Sequence, residues 1–189
     1  MKKIFLILLT LTITSCGVQS IPTAVNEVEA TWAEVLNQYK RRTDLVPNLV
    51  ETVKGYAKHE AETLNAVVTA RSKASQVEIS TNKIDNNTFK EYQKSQDSLT
   101  QALGKLMVVV EKYPDLKANT NFQALQVQLE GTENRIAIAR RRYIESVKEF
   151  NNLISVFPTN LANMIFFHHE KKPQFSISEA ETANPQVQF

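Results

Sequence analysis

Apolar side chains recur every three and four positions from Val25 onward, at Val25, Val28, Trp32, Val35 and Tyr39. That spacing is the stripe of a helix laid against other helices. The count continues through Arg42, Val46, Leu49, Val53, Tyr56, Glu60, Thr63 and Val67 with no change of phase, and it runs past Pro47. A chain reversal ordinarily consumes residues out of register, so the pattern favours one helix over about residues 23–78, kinked or locally opened near Thr43–Pro47. The alternative is two helices, with Asp44 as N-cap and Pro47 in the first turn, where its missing N–H costs nothing.

Residues 79–87 are polar and rich in turn formers, and read as a loop. A second stripe begins near Thr88 and takes in Phe89, Tyr92, Gln96, Leu99, Leu103, Leu106 and Val110. Tyr113-Pro114 ends it, because the residue before proline is pushed out of the helical region. Thr120 with Gln123 has the form of a capping box. It opens a third stripe through Phe122, Leu125, Leu129, Thr132, Ile136, Ala139 and Tyr143, then Val147, Phe150, Ile154 and Phe157. Pro158 stops this helix. Thr159 or Asn160 can cap a short apolar helix through Phe166, and periodicity is lost from Lys171.

Three such stripes joined by short polar loops predict an all-α fold. It is an antiparallel bundle of three long helices, the first kinked or split near residues 43–47, plus a short C-terminal helix, like a four-helix bundle. A straight first helix of ~84 Å would exceed a second of ~39 Å, so one end either extends past the second helix or is covered by the last helix and the tail. The expected parts are a signal segment (1–15), a tether (16–23), the bundle (24–170) and an irregular tail (171–189).

The N-terminal segment sets the expected address. Lys2 and Lys3 precede a short apolar run from Ile4 to Ile13, and Ile13-Thr14-Ser15-Cys16 follows. Its ten residues, interrupted only by Thr10 and Thr12, make ~15 Å of helix, half a bilayer core, so the run reads as a signal segment and not a membrane helix. It resembles a bacterial lipoprotein signal. That resemblance implies cleavage before Cys16, diacylation of its thiol with palmitate-like chains, and attachment to the bilayer. The alternative is a plain secretory signal with an incidental cysteine.

Composition narrows the rest. The chain has 189 residues, four glycines, six prolines and a single cysteine, so an intramolecular disulfide is excluded. Its net charge of +2 falls to zero once Lys2 and Lys3 are removed. Nothing suggests a nucleic-acid binder, which would concentrate a basic surplus on one face.

Three blocks resemble the LemA family. They are Arg41-Arg42-x-Asp44-Leu45-Val46-Pro47-Asn48-Leu49-Val50 with Val53-Lys54-Gly55-Tyr56-Ala57; Glu111-x-Tyr113-Pro114-Asp115-Leu116 with Phe122-x-x-Leu125-Gln126; and Thr132-Glu133-Asn134-Arg135-Ile136 with Phe157-Pro158. The resemblance spans about residues 24–176. The chain departs from the family at Ile144, where asparagine is usual, and at Phe166-Phe167, where Gly-Phe is usual. The resemblance implies a helical bundle outside the cytoplasm of a bacterial cell, and it carries no catalytic residues with it.

Candidate chemistry is sparse. His59-Glu60 opens like a zinc-protease helix, but Thr63 stands where the second histidine is required. Adjacent His168 and His169 point about 100° apart on a helix and rarely share an ion. Arg140-Arg141-Arg142 flanks the third stripe and reads as a solvated face. No metal or cofactor is expected. Arg42, Glu60, Thr132 and Glu133 stand at or beside stripe positions, where a charge must be paired or costs several kcal/mol. They predict either an Arg–carboxylate layer fixing helix register or a polar pocket near Arg42 and Asp44. The expected role is a lipid-anchored, non-enzymatic envelope scaffold or adaptor with a protein partner. The alternative is a peptide- or small-ligand-binding module.

Overall fold

The computed structural model describes residues 2–77, 79 and 84–175, with backbone alone over 2–18. Its helices are α1 (Lys2–Tyr56), α2 (Ala61–Gln76), α3 (Asn86–Val110), the short α4 (Pro114–Lys117), α5 (Thr120–Leu153) and the short α6 (Thr159–Ala162), followed by a π-helical turn (Asn163–Phe167). The protein is all-helical, and its long helices pack antiparallel, α5 along α1 and α3 along α2. No described helix is long and apolar enough to cross a membrane.

The first helix differs from expectation at both ends. It is neither one helix to residue 78 nor split at 43–47: it stays helical through Pro47 and ends at Tyr56. Proline at 47 has no N–H to give the Thr43 carbonyl. Arg71 of α2 supplies the missing donor, its Nε lying 3.2 Å from the Thr43 oxygen. The chain reverses instead at Ala57–Glu60, where Glu60 N–H donates to the Ala57 carbonyl at 3.1 Å. Tyr113 donates its hydroxyl to Glu60 at 3.1 Å across this turn, and Asn119 donates to the Tyr56 hydroxyl at 2.9 Å. The heptad count crosses the reversal by coincidence, because Val53 and Val67 lie two heptads apart although they sit on different helices. Tyr56 is exposed, and Ala57 takes the buried position. The reversal lays α2 back along α1, which at 55 residues still far exceeds the 25 residues of α3. At the other end, residues 17–23, expected as a tether, continue the helix, and Ile21 is buried.

Caps differ in detail. Asp85 caps α3, accepting from the N–H groups of Asn87 and Thr88 at 2.9 Å. Asn119 caps α5 in place of the expected Thr120 box, accepting from Phe122 N–H at 3.0 Å. Thr159 turns its hydroxyl onto the Leu153 and Val156 carbonyls and leaves α6 without a side-chain cap. Phe157, counted into the third stripe, is exposed, because α5 has ended four residues before it.

The core has two parts. Around α2 it is aliphatic, built on Val46, Leu49, Val53, Leu64, Val67, Leu99 and Leu106. Beyond the end of α2 it is aromatic. Trp32 has the rings of Tyr143, Phe89, Tyr92 and Phe175 with centroids 5.0, 5.4, 5.9 and 6.0 Å away. Phe175 belongs to the tail, which was expected to be irregular. Residues 171–175 dock on α5: Asn151 donates to the Lys172 carbonyl and accepts from its N–H, and Tyr143 donates to the Pro173 carbonyl at 3.0 Å.

Candidate functional site

Among the described residues one buried cation lies between the two cores. Arg42 comes from the α1 stripe and is 1% exposed. One terminal nitrogen donates to Thr100 Oγ1 at 2.8 Å and to Glu133 Oε1 at 3.0 Å. The other donates to the Gln96 side-chain oxygen at 2.7 Å and to the Gln96 backbone carbonyl at 3.2 Å. The guanidinium also sits over the Tyr39 ring, 5.0 Å from its centroid. Only Nε is buried without a hydrogen-bond partner.

The layer extends to α2 through Gln96, whose amide donates to the Ala74 carbonyl at 3.3 Å. Ala74 lies in the last turn of α2, where carbonyls have no partner within the helix. One glutamine thus accepts from Arg42 and caps α2. Four helices meet through these bonds: α1 by Arg42, α2 by Ala74, α3 by Gln96 and Thr100, and α5 by Glu133.

The predicted residues separate. Arg42 and Glu133 form the expected ion pair, with Glu133 40% exposed at the rim. Thr132 is fully buried but turns its hydroxyl back onto the Gln128 carbonyl of its own helix. Glu60 lies outside the layer, at the α1–α2 turn. Asp44 is exposed and pairs with Lys40 on its own helix at 3.0 Å. The side chain of Cys16 lies outside the described residues. Gln96 and Thr100 complete the layer although neither was expected in it. Gln96 was visible as the polar member of the α3 stripe. Thr100 lies off that stripe and is reached only by the long guanidinium fork.

The surroundings hold the layer's chemistry still. Burial raises the Tyr39 hydroxyl pKa against the opposing influence of Arg140 and Arg42. Burial likewise pushes Tyr92 up, with Tyr39 adding to it. Both phenols therefore stay protonated at neutral pH. Beside the layer, Tyr39, Lys40, Asp44, Arg71, Ser75 and Gln96 contribute to an open cleft of about 400 Å³ between α1, α2 and α3. Among the described residues no group of three His, Cys, Asp or Glu side chains converges. Of the basic run, Arg140 lies over the Phe175 ring at 4.5 Å, Arg142 pairs with Glu34 at 3.0 Å, and Arg141 is exposed. His169 stacks on Phe167, while His168 is exposed. Ile144, where the family has asparagine, packs partly buried on the aromatic core.

Comparison with known proteins agrees with the fold and the blocks that carry it. The chain is 26% identical over 166 residues to Protein LemA of Metamycoplasma hominis, covering 84% of this chain and 72% of that one. It is 32% identical over 76 residues to Magnetosome protein MamQ of Magnetospirillum gryphiswaldense, covering 37% of this chain and 28% of that one. Residues 31–189, which contain every side chain of the polar layer, match the family described as LemA, and the chain belongs to the LemA family.

Proposed function

We propose that this LemA-family chain is a lipid-anchored helical bundle that acts as a non-enzymatic scaffold or adaptor in the bacterial envelope. Its anchor is acylated Cys16, its bundle stands outside the cytoplasm, and its solvated helix faces meet a protein partner. The observation that supports this most is the continuity of α1, which runs unbroken from Lys2 to Tyr56. An attachment at Cys16 would hold the whole bundle through one rigid element, as a scaffold requires. The charged residues of the bundle interior support it too, since they bind helix to helix. Metabolic labelling with a palmitate analogue, with intact mass, tests the anchor: label on the native chain and none on Cys16→Ser is expected. An unlabelled native chain recovered as soluble material overturns it. Crosslinking in intact cells tests the scaffold role by the recovery of a defined envelope protein.

A second reading makes the cleft beside Asp44 a site for a peptide or small ligand. It is favoured by the juxtaposition of Lys40, Asp44 and Arg71 around that space. Native mass spectrometry of detergent-extracted protein would show a retained ligand. Ser75→Trp, at an exposed position lining the cleft, should displace it.

A further inference from the structure

Large exposed apolar side chains are unevenly spread over the described residues. Tyr56, Val68, Val108, Val127 and Ile138 are scattered over α1, α2, α3 and α5. By contrast Val156, Phe157, Leu161, Met164, Ile165 and Phe166 are all exposed within one short segment, Phe157 by 72% and Phe166 by 65%. Such a patch marks a surface made to be covered.

Helix register places this patch. Arg142 meets Glu34 and Ser146 meets Thr31, so the end of α5 comes level with the turn around Ile21. α6 packs on α1, and Ala162 and Phe167, like Ala24 and Val25, pack on the cluster that contains Ile21. The patch therefore lies at the end of the bundle from which α1 runs toward Cys16. Along the helix, Cys16 is only ~8 Å beyond Ile21.

Charge points the same way. No Asp, Glu, Lys or Arg occurs between Cys16, where the acylated chain begins, and Asn26, nor over the twenty residues from Phe150 to His169. The fold brings these two stretches to one end. Lys171 and Lys172 follow at the edge, with Asp85 and Glu170 beside them, so the charges begin where the apolar patch ends. A protein partner has no need of an end so free of charge, whereas an acyl-chain boundary excludes charge outright.

We infer that this end is a bilayer-seating surface, with Val156–Phe166 entering the headgroup–acyl boundary beside the N-terminal segment. The bundle then stands on the membrane and is held by more than its tether. This deepens the anchoring reading and rests on it for the nearness of a bilayer, but a different measurement tests it.

The experiment uses the full chain reconstituted in phosphatidylethanolamine–phosphatidylglycerol vesicles whose acyl chains carry bromine. Flotation reports attachment, and quenching of an introduced tryptophan reports insertion. Phe166→Trp should show blue-shifted emission that brominated chains quench. Val127→Trp, near the other end of α5, should stay unquenched, and buried Trp32 supplies a background subtracted with the parent chain. Flotation without quenching of Phe166→Trp overturns the seating surface and leaves the anchor standing. Quenching that persists in a Cys16→Ser background supports the surface even if the anchor fails. Absence of flotation in both backgrounds overturns the two together. A blue shift that grows with protein concentration and ignores brominated lipid assigns the patch to a second copy of the chain, and overturns the proposal.

Discussion

The two halves of the bundle solve one packing problem differently. Where α2 is present, four helices enclose a core of valines and leucines. α2 has only 16 residues, ~24 Å, and ends at Gln76, where Val77, Ile79 and Ile84 of the following segment pack on the aromatic cluster. There the core changes to rings, and the tail returns Phe175 to take the place of a helix. Arg42 and Gln96 stand at the changeover, at the level of Ala74. The polar layer is thus a joint between two architectures, and it ties off the helix that ends there.

The largest expected effects come from emptying either core. Trp32→Ala removes the ring that touches four others and should destabilise by about 3–5 kcal/mol. Leu106→Ala, in the aliphatic half, should cost about 2–5 kcal/mol. Urea unfolding measures both. If the joint couples the halves, each variant keeps one cooperative transition. Two transitions in Trp32→Ala, with α2 and its partners unfolding last, would show instead that the halves are separate folding units.

Breaking the joint comes next. Glu133→Ala takes from Arg42 the carboxylate it is paired with and leaves the guanidinium buried. Loss of a buried pair costs roughly 3–5 kcal/mol, and the solvent reaching half-exposed Glu133 places this case near the lower end. Arg42→Leu should cost less, about 1–3 kcal/mol, because the released Glu133 can be hydrated while only Gln96 and Thr100 lose partners. The reverse order in thermal unfolding would mean that the burden of the layer lies on the glutamine and not on the ion pair.

The aromatic half also depends on its tail. Phe175→Ala should cost about 2 kcal/mol, the transfer free energy of one phenylalanine ring. Hydrogen exchange should speed at the Lys172 N–H, which Asn151 holds, before it speeds in α2. Equal acceleration in both halves would contradict a locally docked tail.

Much of this was legible, and the misses share one cause. The α3 stripe and the α5 stripe through Ile154 were read correctly because each is a single helix, whose period is a local property of the chain. Arg42 and Glu133 were legible because a charge on an apolar stripe demands a partner. The reversal at Ala57–Glu60 was hidden because the heptad count crosses it and no proline marks it. Pro47 carries the stronger local signal but is answered from another helix. Glu60 was counted toward the site from its place on a helix running to residue 78, which the reversal breaks, and Gln96 could be placed in the joint only once the end of α2 was known. Wherever the outcome depended on which helix lies opposite, sequence periodicity had nothing to say.

Pro47 allows that dependence to be measured, and its effect is the smallest of those expected. In an isolated helix, a proline at this position leaves the Thr43 carbonyl without a donor. Here Arg71 donates to it from α2, so the helix survives because its neighbour completes it. Arg71→Met keeps most of the apolar stem and removes the donor, and should cost about 1 kcal/mol, the net value of one such bond. Pro47→Ala restores an N–H to the carbonyl, and in the Arg71→Met background it should recover most of that loss. In the native background the same change gains less, because the carbonyl is already served. The two substitutions should therefore be non-additive by several tenths of a kcal/mol or more, which a double-mutant cycle in urea resolves. Additivity would mean that the arginine contributes nothing to the tolerance of proline. Non-additivity would place the cause of an unbroken α1 in the four-helix half, where α2 is at hand to supply the donor.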